Sequence, residues 1–315
     1  DVSVSVSAPY FDRANGPILL GIVLMMGVGP LLPWRKSSAR SLRRWFAWPL
    51  VIAVIVVVVL VALGVKRPIA ILSFGVVAFV AASIMEEWWR GTVARHRSGD
   101  TWARAWWRLV NGNRPRHGGY IVHLSILMLG LGIIGTNFYQ QRTDGALALG
   151  ESLVIDNYRI EYVDSDSSSR PDRIAQWAEM SIYRIDPADY ATEISLARAQ
   201  GSDSFRLKDS TRRPNDRLID QIQPWHGFYP DFNMASVRSG IRSTIVEDLY
   251  VIPRDFLSDG RISIAVSINP LAWWLWASGP FFILGTMVAL WPQPAVERRP
   301  VRTEKQIRAL ATGDL

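Results

Sequence analysis

One ionisable side chain, His123, lies within a long apolar run and gives the first indication of chemistry in this chain. The run extends for 19 residues from Tyr120 to Phe138, which is long enough to cross a bilayer as a helix. Burying an ionisable group in a membrane span is costly, so such a group indicates a functional site. A neutral imidazole is also a common ligand of iron and other metals. The sequence predicts a metal or cofactor ligand; the alternative is a histidine that bonds to headgroups, a neighbouring helix or water.

The residues around His123 fit both interpretations. Arg114 and Arg116 precede the run, so His123 is expected roughly one turn inside the end that carries the positive charges. Both arginines could pair with the carboxylates of a cofactor, but a role in setting topology is sufficient to explain them. Glycines along the same run leave room for the close approach of another helix or a flat cofactor. They are Gly119, Gly130, Gly132 and Gly135.

The other three histidines carry weaker signals. His117 precedes His123 by six residues, so we predict that it lies on a different helix face, at the water boundary, with a surface role. His96 lies in a basic segment and is expected to be solvated. His226, in the sequence PWHGFYPD, is expected to be a loop histidine of an outer domain.

The composition narrows the function classes. The 315 residues include 49% hydrophobic residues and 14 tryptophans, which indicates apolar spans together with a sizeable polar portion. The chain has no cysteine, which excludes disulfides, iron–sulfur clusters, thioether attachment of haem to this chain and a catalytic thiol. The net charge of +7 gathers beside apolar runs, so it indicates topology and anionic lipid rather than nucleic acid. No GxxxxGK[ST] or GxSxG motif supports nucleotide or serine hydrolysis.

Five apolar runs predict five membrane spans. They lie at about 18–33, 48–65, 69–85, 119–138 and 270–292. Between the third and fourth, Trp102, Trp106 and Leu109 recur at helical spacing. We therefore predict an interfacial helix at about 100–111, whose tryptophans are membrane anchors rather than a cofactor platform.

Residues 139–269 have a different pattern, in which apolar and polar residues alternate between turn-forming residues. This pattern predicts an antiparallel sheet or sandwich. The predicted strand segments are SLVIDNYRIEYV, AEMSIYRI, TEISLARA, TIVEDLYVI and RISIAVSI. The stretch 165–173, SDSSSRPDR, is predicted to be a flexible loop.

Charge distribution predicts the orientation. The segments 34–47 and 86–118 and the tail 293–315 are basic and fall on one side of a five-span arrangement. By the positive-inside rule that side is cytoplasmic, which puts the N-terminus and the β-domain outside. The chain begins at Asp1 with no basic signal-peptide region, so we expect a fragment, a processed chain or one part of a split protein.

Several segments together resemble the cytochrome c-type biogenesis protein CcmF, the haem lyase subunit. They are APYFDRANGPILLGIVLMMGVGPLLPWR, RPRHGGYIVHLSILMLGLGIIG, GESLVIDNYRIEYV, RSGIRSTIVEDLYVI and INPLAWWLWASGPFFILGTMVALWP. In order they cover nearly the whole chain and match the C-terminal half of that family. The resemblance implies a bacterial inner-membrane protein whose outer β-domain is periplasmic and inserted between the last two spans.

The resemblance also implies a function and a ligand. It implies a role in cytochrome c haem ligation, with His123 as one of two axial histidines of a transmembrane haem b that relays electrons, from quinol by expectation. Implied partners are the N-terminal CcmF portion or a split partner, a haem chaperone, apocytochrome c and a thiol-reducing subunit. The family's WWD segment, its periplasmic histidine pair and the second haem b histidine are absent from this chain. Activity of the chain alone is therefore not expected.

Two other classes stay open on the sequence. A transport or scaffold subunit with an outer β-domain has a similar arrangement of spans and needs no cofactor. A ResB-type subunit of the other cytochrome c assembly route also combines spans, an outer β-domain and histidines, but the CcmF-like segments at both ends argue against it.

Overall fold

The computed structural model describes residues 8–31, 39–208 and 213–292. In this part of the chain, five helices precede a β-rich region that is interrupted by one short helix, and a seventh helix follows. The helices are α1 (Ala8–Leu31), α2 (Ala39–Ala62), α3 (Pro68–His96), α4 (Trp102–Gly112), α5 (Arg114–Tyr139), α6 (Ala191–Ala199) and α7 (Ala272–Leu290). The basic tail 293–315, residues 34–38 of the predicted basic segment and residues 32–33 of the predicted first span lie outside the described residues.

Four of the described helices have the length and apolar composition to cross a membrane. These are α3, α5, α7 and the segment Trp45–Ala62 of α2. The predicted first span falls in α1, whose apolar stretch Ala14–Gly29 is shorter. The predicted fold class, a membrane protein with apolar helices and an antiparallel β-domain before the last span, is confirmed.

Helix α3 extends well beyond the predicted span 69–85. The sequence places a polar segment from Glu86, but the helix continues to His96. Glu86 and Glu87 lie four and three residues before Arg90 and pair with it at 3.6 and 3.9 Å. Such pairs support a helix on its exposed face. The extension gives α4 a surface on which to pack.

The β-region forms two antiparallel sheets. Its strands are β1 (Gln141–Leu147), β2 (Ser152–Ile155), β3 (Tyr158–Ser169), β4 (Ile174–Arg184), β5 (Ser204–Leu207), β6 (Arg217–Ile222), β7 (Trp225–Tyr229), β8 (Met234–Arg238), β9 (Gly240–Ser243), β10 (Glu247–Phe256) and β11 (Ile262–Pro270). One sheet has the order β1-β11-β10-β9 and the other β5-β2-β3-β4-β7-β8, with β6 also paired to β4. Side chains of both sheets, including Ile160, Ile182, Ile264 and Val266, share one buried core.

Two local predictions in the β-region are wrong. The segment TEISLARA, predicted as a strand, lies in helix α6. Its Glu, Leu, Ala and Arg residues favour a helix. The alternation of apolar and polar residues in this segment does not mark a buried face, since Leu196 is 58% exposed. The predicted loop 165–173 is mostly strand. Residues up to Ser169 continue β3 and pair with β4, for example Ser165 with Ala178, so backbone pairing extends beyond the apolar core.

The β-domain joins the membrane helices through two very short connections. Helix α5 ends at Tyr139 and β1 begins at Gln141, while β11 ends at Pro270 and α7 begins at Ala272. Strands β1 and β11 pair directly, from Gln141 with Ile268 onward. The adjacent helices α5 and α7 therefore continue into adjacent strands.

Glycines permit this helix pair to pack closely. A Cβ atom on Gly285 of α7 would lie 2.7 Å from the backbone nitrogen of Val122 and 3.0 Å from the carbonyl oxygen of Gly118. A Cβ on Gly132 would lie 2.5 Å from Leu275, and one on Gly135 would overlap the carbonyl group of Pro270. The predicted close approach of another helix is thus made by α7 at Gly132, while Gly135 meets the end of β11 at Pro270.

A buried ionic network fastens the α6 region to the larger sheet. Arg159 and Asp216, both fully buried, pair at 3.0 Å, and Arg159 Nε donates to Ser152 Oγ at 2.9 Å. The hydroxyl of Tyr190 donates to Asp216 at 2.7 Å. Burial, together with that hydrogen bond, raises the pKa of Tyr190 to about 12, so the hydroxyl remains a donor at neutral pH.

We predict that Gly285→Val destabilises the helix pair by about 1–3 kcal/mol, because the added side chain meets backbone that cannot move independently. Gly279→Val in the same helix is the control, since a Cβ there meets nothing within 4 Å. Thermal unfolding in detergent, followed by circular dichroism, should show a lower midpoint for Gly285→Val. Equal midpoints for the two variants would contradict the packing described.

We also predict that Arg159→Met lowers the free energy of unfolding by about 3–5 kcal/mol, because it leaves the buried Asp216 carboxylate without its cation. Arg254→Met removes an exposed pair with Asp144, formed at 2.7 Å, and should cost at most about 1 kcal/mol. Denaturant unfolding followed by tryptophan fluorescence compares them, and similar losses for both variants would refute the prediction.

Candidate functional site

His123 lies deeper in its helix than the sequence predicts. Helix α5 begins at Arg114, where the Asn113 side chain accepts a hydrogen bond from the Arg116 backbone nitrogen and proline occupies the first turn. His123 is therefore nine residues into the helix, about 13 Å along its axis. The reason for the difference is that the polar residues before Tyr120 are helical.

The imidazole of His123 is half-buried, and its Nδ1 atom is enclosed without a hydrogen-bond partner in the described part of the chain. The ring centroid of Tyr120 lies 6.5 Å from that of the imidazole, at an interplanar angle of 52°. Buried polar atoms in proteins are nearly always hydrogen-bonded, so this ring nitrogen is a candidate for a contact with a group outside the described residues.

Two of the glycines identified from the sequence lie along the same strip of α5 as His123. Gly119 is four residues before it and Gly130 seven residues after it, spacings that share one helix face. A Cβ on Gly119 would meet nothing within 4 Å, and one on Gly130 would meet a single Val77 methyl at 3.9 Å. Next to His123, then, the helix presents bare backbone that α7 does not cover.

A cluster of polar and aromatic residues holds Tyr120 in place from the end of α5 that carries the arginines. Arg116 Nε donates to the Tyr120 hydroxyl at 2.9 Å, and Arg116 pairs with Glu87 of α3 at 2.7 Å. The ring of Trp88 meets that of Tyr120 edge-to-face at 6.4 Å. The Arg116 hydrogen bond and the Trp88 ring contact restrict the Tyr120 ring, which lies beside the imidazole of His123.

The prediction that His117 has a surface role is wrong. Its side chain is 4% exposed, and its Nδ1 atom accepts a hydrogen bond of 3.0 Å from Trp88 Nε1. Because Nδ1 is an acceptor, the ring proton of the neutral form is on Nε2. The continuation of α3 beyond Met85 brings Trp88 to this position, which sequence periodicity around His117 does not reveal.

The remaining histidines lie apart from this cluster. His96, expected to be solvated, is half-buried and stacks on Trp102 at 4.0 Å, with its Nδ1 atom 2.7 Å from the Asp100 carbonyl oxygen. His226, expected in a loop, lies in strand β7, opposite Gln176 of β4 and Val237 of β8. In the described residues no group of three or more His, Cys, Asp and Glu side chains is arranged to hold a metal ion.

The two arginines predicted near the site have different partners. Arg116 belongs to the cluster around Tyr120. Arg114 donates to the backbone oxygen of Pro292 at 2.6 Å, just beyond the end of α7. The start of α5 and the end of α7 therefore lie at the same end of the helix pair, opposite the β-domain.

The sequence does not predict that Trp88 and Glu87 contribute to this cluster, because the predicted third span ends at Met85, before both residues. It also missed the Arg116–Tyr120 contact, although a spacing of four residues on a helix puts two side chains on one face. The predicted interfacial helix corresponds to α4, in which Trp102 is 47% and Trp106 41% exposed while Leu109 is buried. The role of these tryptophans as membrane anchors stays a prediction.

The fold and this site define a class of protein: a multi-span membrane protein with an antiparallel β-domain inserted before its last helix. Comparison with solved structures assigns the same fold to the cytochrome c haem lyase CcmF, with a TM-score of 0.67 and 23% identity, over 91% of this chain and 41% of that one. No protein family model matches the chain.

Curated relatives agree with the structural comparison. The chain is 24% identical to CcmF of Haemophilus influenzae over 91% of its own length, and 22% identical to the cytochrome c-type biogenesis protein Ccl1 of Rhodobacter capsulatus over 88%. CcmF of Escherichia coli is 20% identical over 91%. These matches confirm the resemblance to CcmF. The chain spans 36–39% of the length of these three relatives.

We predict that Trp88→Phe destabilises the helical region by about 1–3 kcal/mol, because the buried Nδ1 acceptor of His117 loses its donor. The matched control is Trp89→Phe, next to it in α3, where the indole is 62% exposed and stacks on Trp102. Thermal unfolding in detergent measures both. A larger loss for Trp89→Phe than for Trp88→Phe would count against the described hydrogen bond.

Proposed function

We propose that this chain forms part of a cytochrome c haem lyase, in which His123 is an axial ligand of a transmembrane haem b. The observation that carries the proposal is the buried, unpartnered Nδ1 atom of His123 within a membrane helix of a CcmF-like fold. The names of the relatives, cytochrome c-type biogenesis proteins, support the general role.

The residues present fit a haem ligand. The imidazole is half-buried in an apolar span, and bare backbone at Gly119 and Gly130 along the same strip admits a flat ring system. No second histidine of this chain lies beside it, since His117 is engaged with Trp88. The second axial ligand is therefore expected from outside this chain.

His123 has a defined chemical role in this proposal. Its neutral ring offers one nitrogen lone pair to iron, and protonation of the ring would remove that lone pair. When bound, haem b supplies a one-electron redox centre whose potential depends on its axial ligands and burial. Arg116, which pairs with Glu87, donates to the Tyr120 hydroxyl and so orients the Tyr120 ring beside the imidazole.

The β-domain and the basic end of the helices have separate roles in the proposal. We assign the N-terminus and the β-domain to the periplasmic side of a bacterial inner membrane, where the domain docks a haem chaperone, apocytochrome c or a thiol-reducing subunit. The C-terminus is cytoplasmic. The Arg114–Pro292 contact supports one shared side for the basic segments near α4 and the end of α7. Covalent attachment of haem requires the remaining CcmF portion as a partner, with quinol as the expected electron source.

The decisive experiment is a reduced-minus-oxidised visible spectrum of the membrane-purified protein, expressed alone and with the complementary CcmF portion. We predict a b-type spectrum in the wild type with its partner and its loss in His123→Ala. His226→Ala is the matched control, because His226 is also half-buried but lies in the β-domain.

Two outcomes would overturn the proposal. One is a b-type spectrum that persists unchanged in His123→Ala. The other is the absence of haem from every combination of wild-type polypeptides, which would favour a transport or scaffold subunit with no cofactor.

A further inference from the structure

A cleft of about 690 Å³ opens where the membrane helices meet the β-domain. Its walls come from the turn between α2 and α3, the end of α5, the start of β1, the β2–β3 turn and the region from α6 to β5. The turn between α2 and α3 and the end of α5 mark the limit of three spans. The cleft therefore lies at the level of the membrane–water boundary, open to a molecule that is itself partly in the membrane.

The charged side chains of the cleft are of both signs. Three arginines line it, Arg67, Arg142 and Arg198, and so do two aspartates, Asp156 and Asp203. In the described part of the chain, none of the three guanidinium groups forms an ion pair or a side-chain hydrogen bond. Unpaired arginines around one cavity favour a phosphate or carboxylate, which their planar donors bind in bidentate fashion.

The end of α5 adds a polar atom that lacks a partner. The hydroxyl of Tyr139 is enclosed without a hydrogen-bond partner among the described residues. The guanidinium of Arg67 lies over the Tyr139 ring at 5.8 Å, and both residues line the cleft. Tyrosine and arginine are both enriched at membrane interfaces, where one end of the side chain is apolar and the other polar.

We propose that this cleft binds the headgroup of an aminophospholipid, a phosphate joined to a primary ammonium group. The arginines and the Tyr139 hydroxyl donate to the phosphate, and Asp156 and Asp203 accept from the ammonium. Apolar residues of the same cleft, Phe138, Ile194 and Phe205, contact the glycerol and the first acyl carbons. An anionic lipid without an amine would offer no cation to Asp156 and Asp203. Because the cleft is lined by both arginines and aspartates, it favours a zwitterionic headgroup. This proposal is independent of haem.

The test measures lipid retention by native mass spectrometry on the purified protein. The protein is exchanged into detergent containing equal amounts of phosphatidylethanolamine, phosphatidylglycerol and phosphatidylcholine. We expect preferential retention of phosphatidylethanolamine. Arg67→Gln and Arg142→Gln should each lower its retention about tenfold, the effect of one lost hydrogen bond to a charged group. Arg238→Gln is the control, an exposed arginine of β8 outside the cleft, and should leave retention unchanged.

A second variant tests the ammonium part separately. The double change Asp156→Asn and Asp203→Asn should remove the preference for phosphatidylethanolamine over phosphatidylglycerol while phosphate-dependent retention remains. Water-soluble glycerophosphoethanolamine is added as a competitor, and we expect it to displace the lipid poorly. Equal loss in Arg67→Gln and Arg238→Gln, preference for phosphatidylglycerol in the wild type, or efficient displacement by the soluble headgroup would each overturn the proposal.

Discussion

The close contact between α5 and α7 is the constraint on which the rest of the structure depends. The two helices meet at Gly118, Gly132 and Gly285, where side chains would collide with opposing backbone, and Gly135 meets Pro270 at the end of β11, just before α7. Without a hydrophobic driving force between helices in lipid, packing of this kind is a main source of association. Because α5 and α7 run directly into the paired strands β1 and β11, the same contact fixes the β-domain on the membrane helices.

This arrangement separates two faces of α5. One face meets α7 at Gly118 and Gly132. On the strip that carries His123, a Cβ on Gly119 or Gly130 would not meet α7. The other flank packs against α3 through Tyr120, which Arg116 and Trp88 hold by a hydrogen bond and a ring contact. The imidazole thus borders the Tyr120 ring, and its Nδ1 atom is enclosed without a hydrogen-bond partner among the described residues.

The β-domain is held together by an apolar core and a buried ion pair rather than by close helix packing. Its core is formed by apolar side chains of two antiparallel sheets, and its α6 region is held by the buried pair of Arg159 and Asp216. A buried ion pair contributes little net stability but imposes one geometry, since any rearrangement would leave a charge unpaired. The same region carries Arg198, at the end of α6, which lines the cleft between the membrane helices and the β-domain.

Local sequence determined the apolar helices, the β-rich nature of residues 139–269 and the singular position of His123, because run length and alternation depend on neighbouring residues alone. The local sequence predicted the wrong structure where its signals conflicted. TEISLARA alternates like a strand, yet it is helical. Helix α3 continues past Met85, where ion pairs support it, although the polar residues from Glu86 indicated that the span had ended. Tertiary structure alone decided which glycines meet α7 and which lie open beside His123. It also decided that His117 is buried against Trp88, because that contact joins residues 29 positions apart through the packing of two helices.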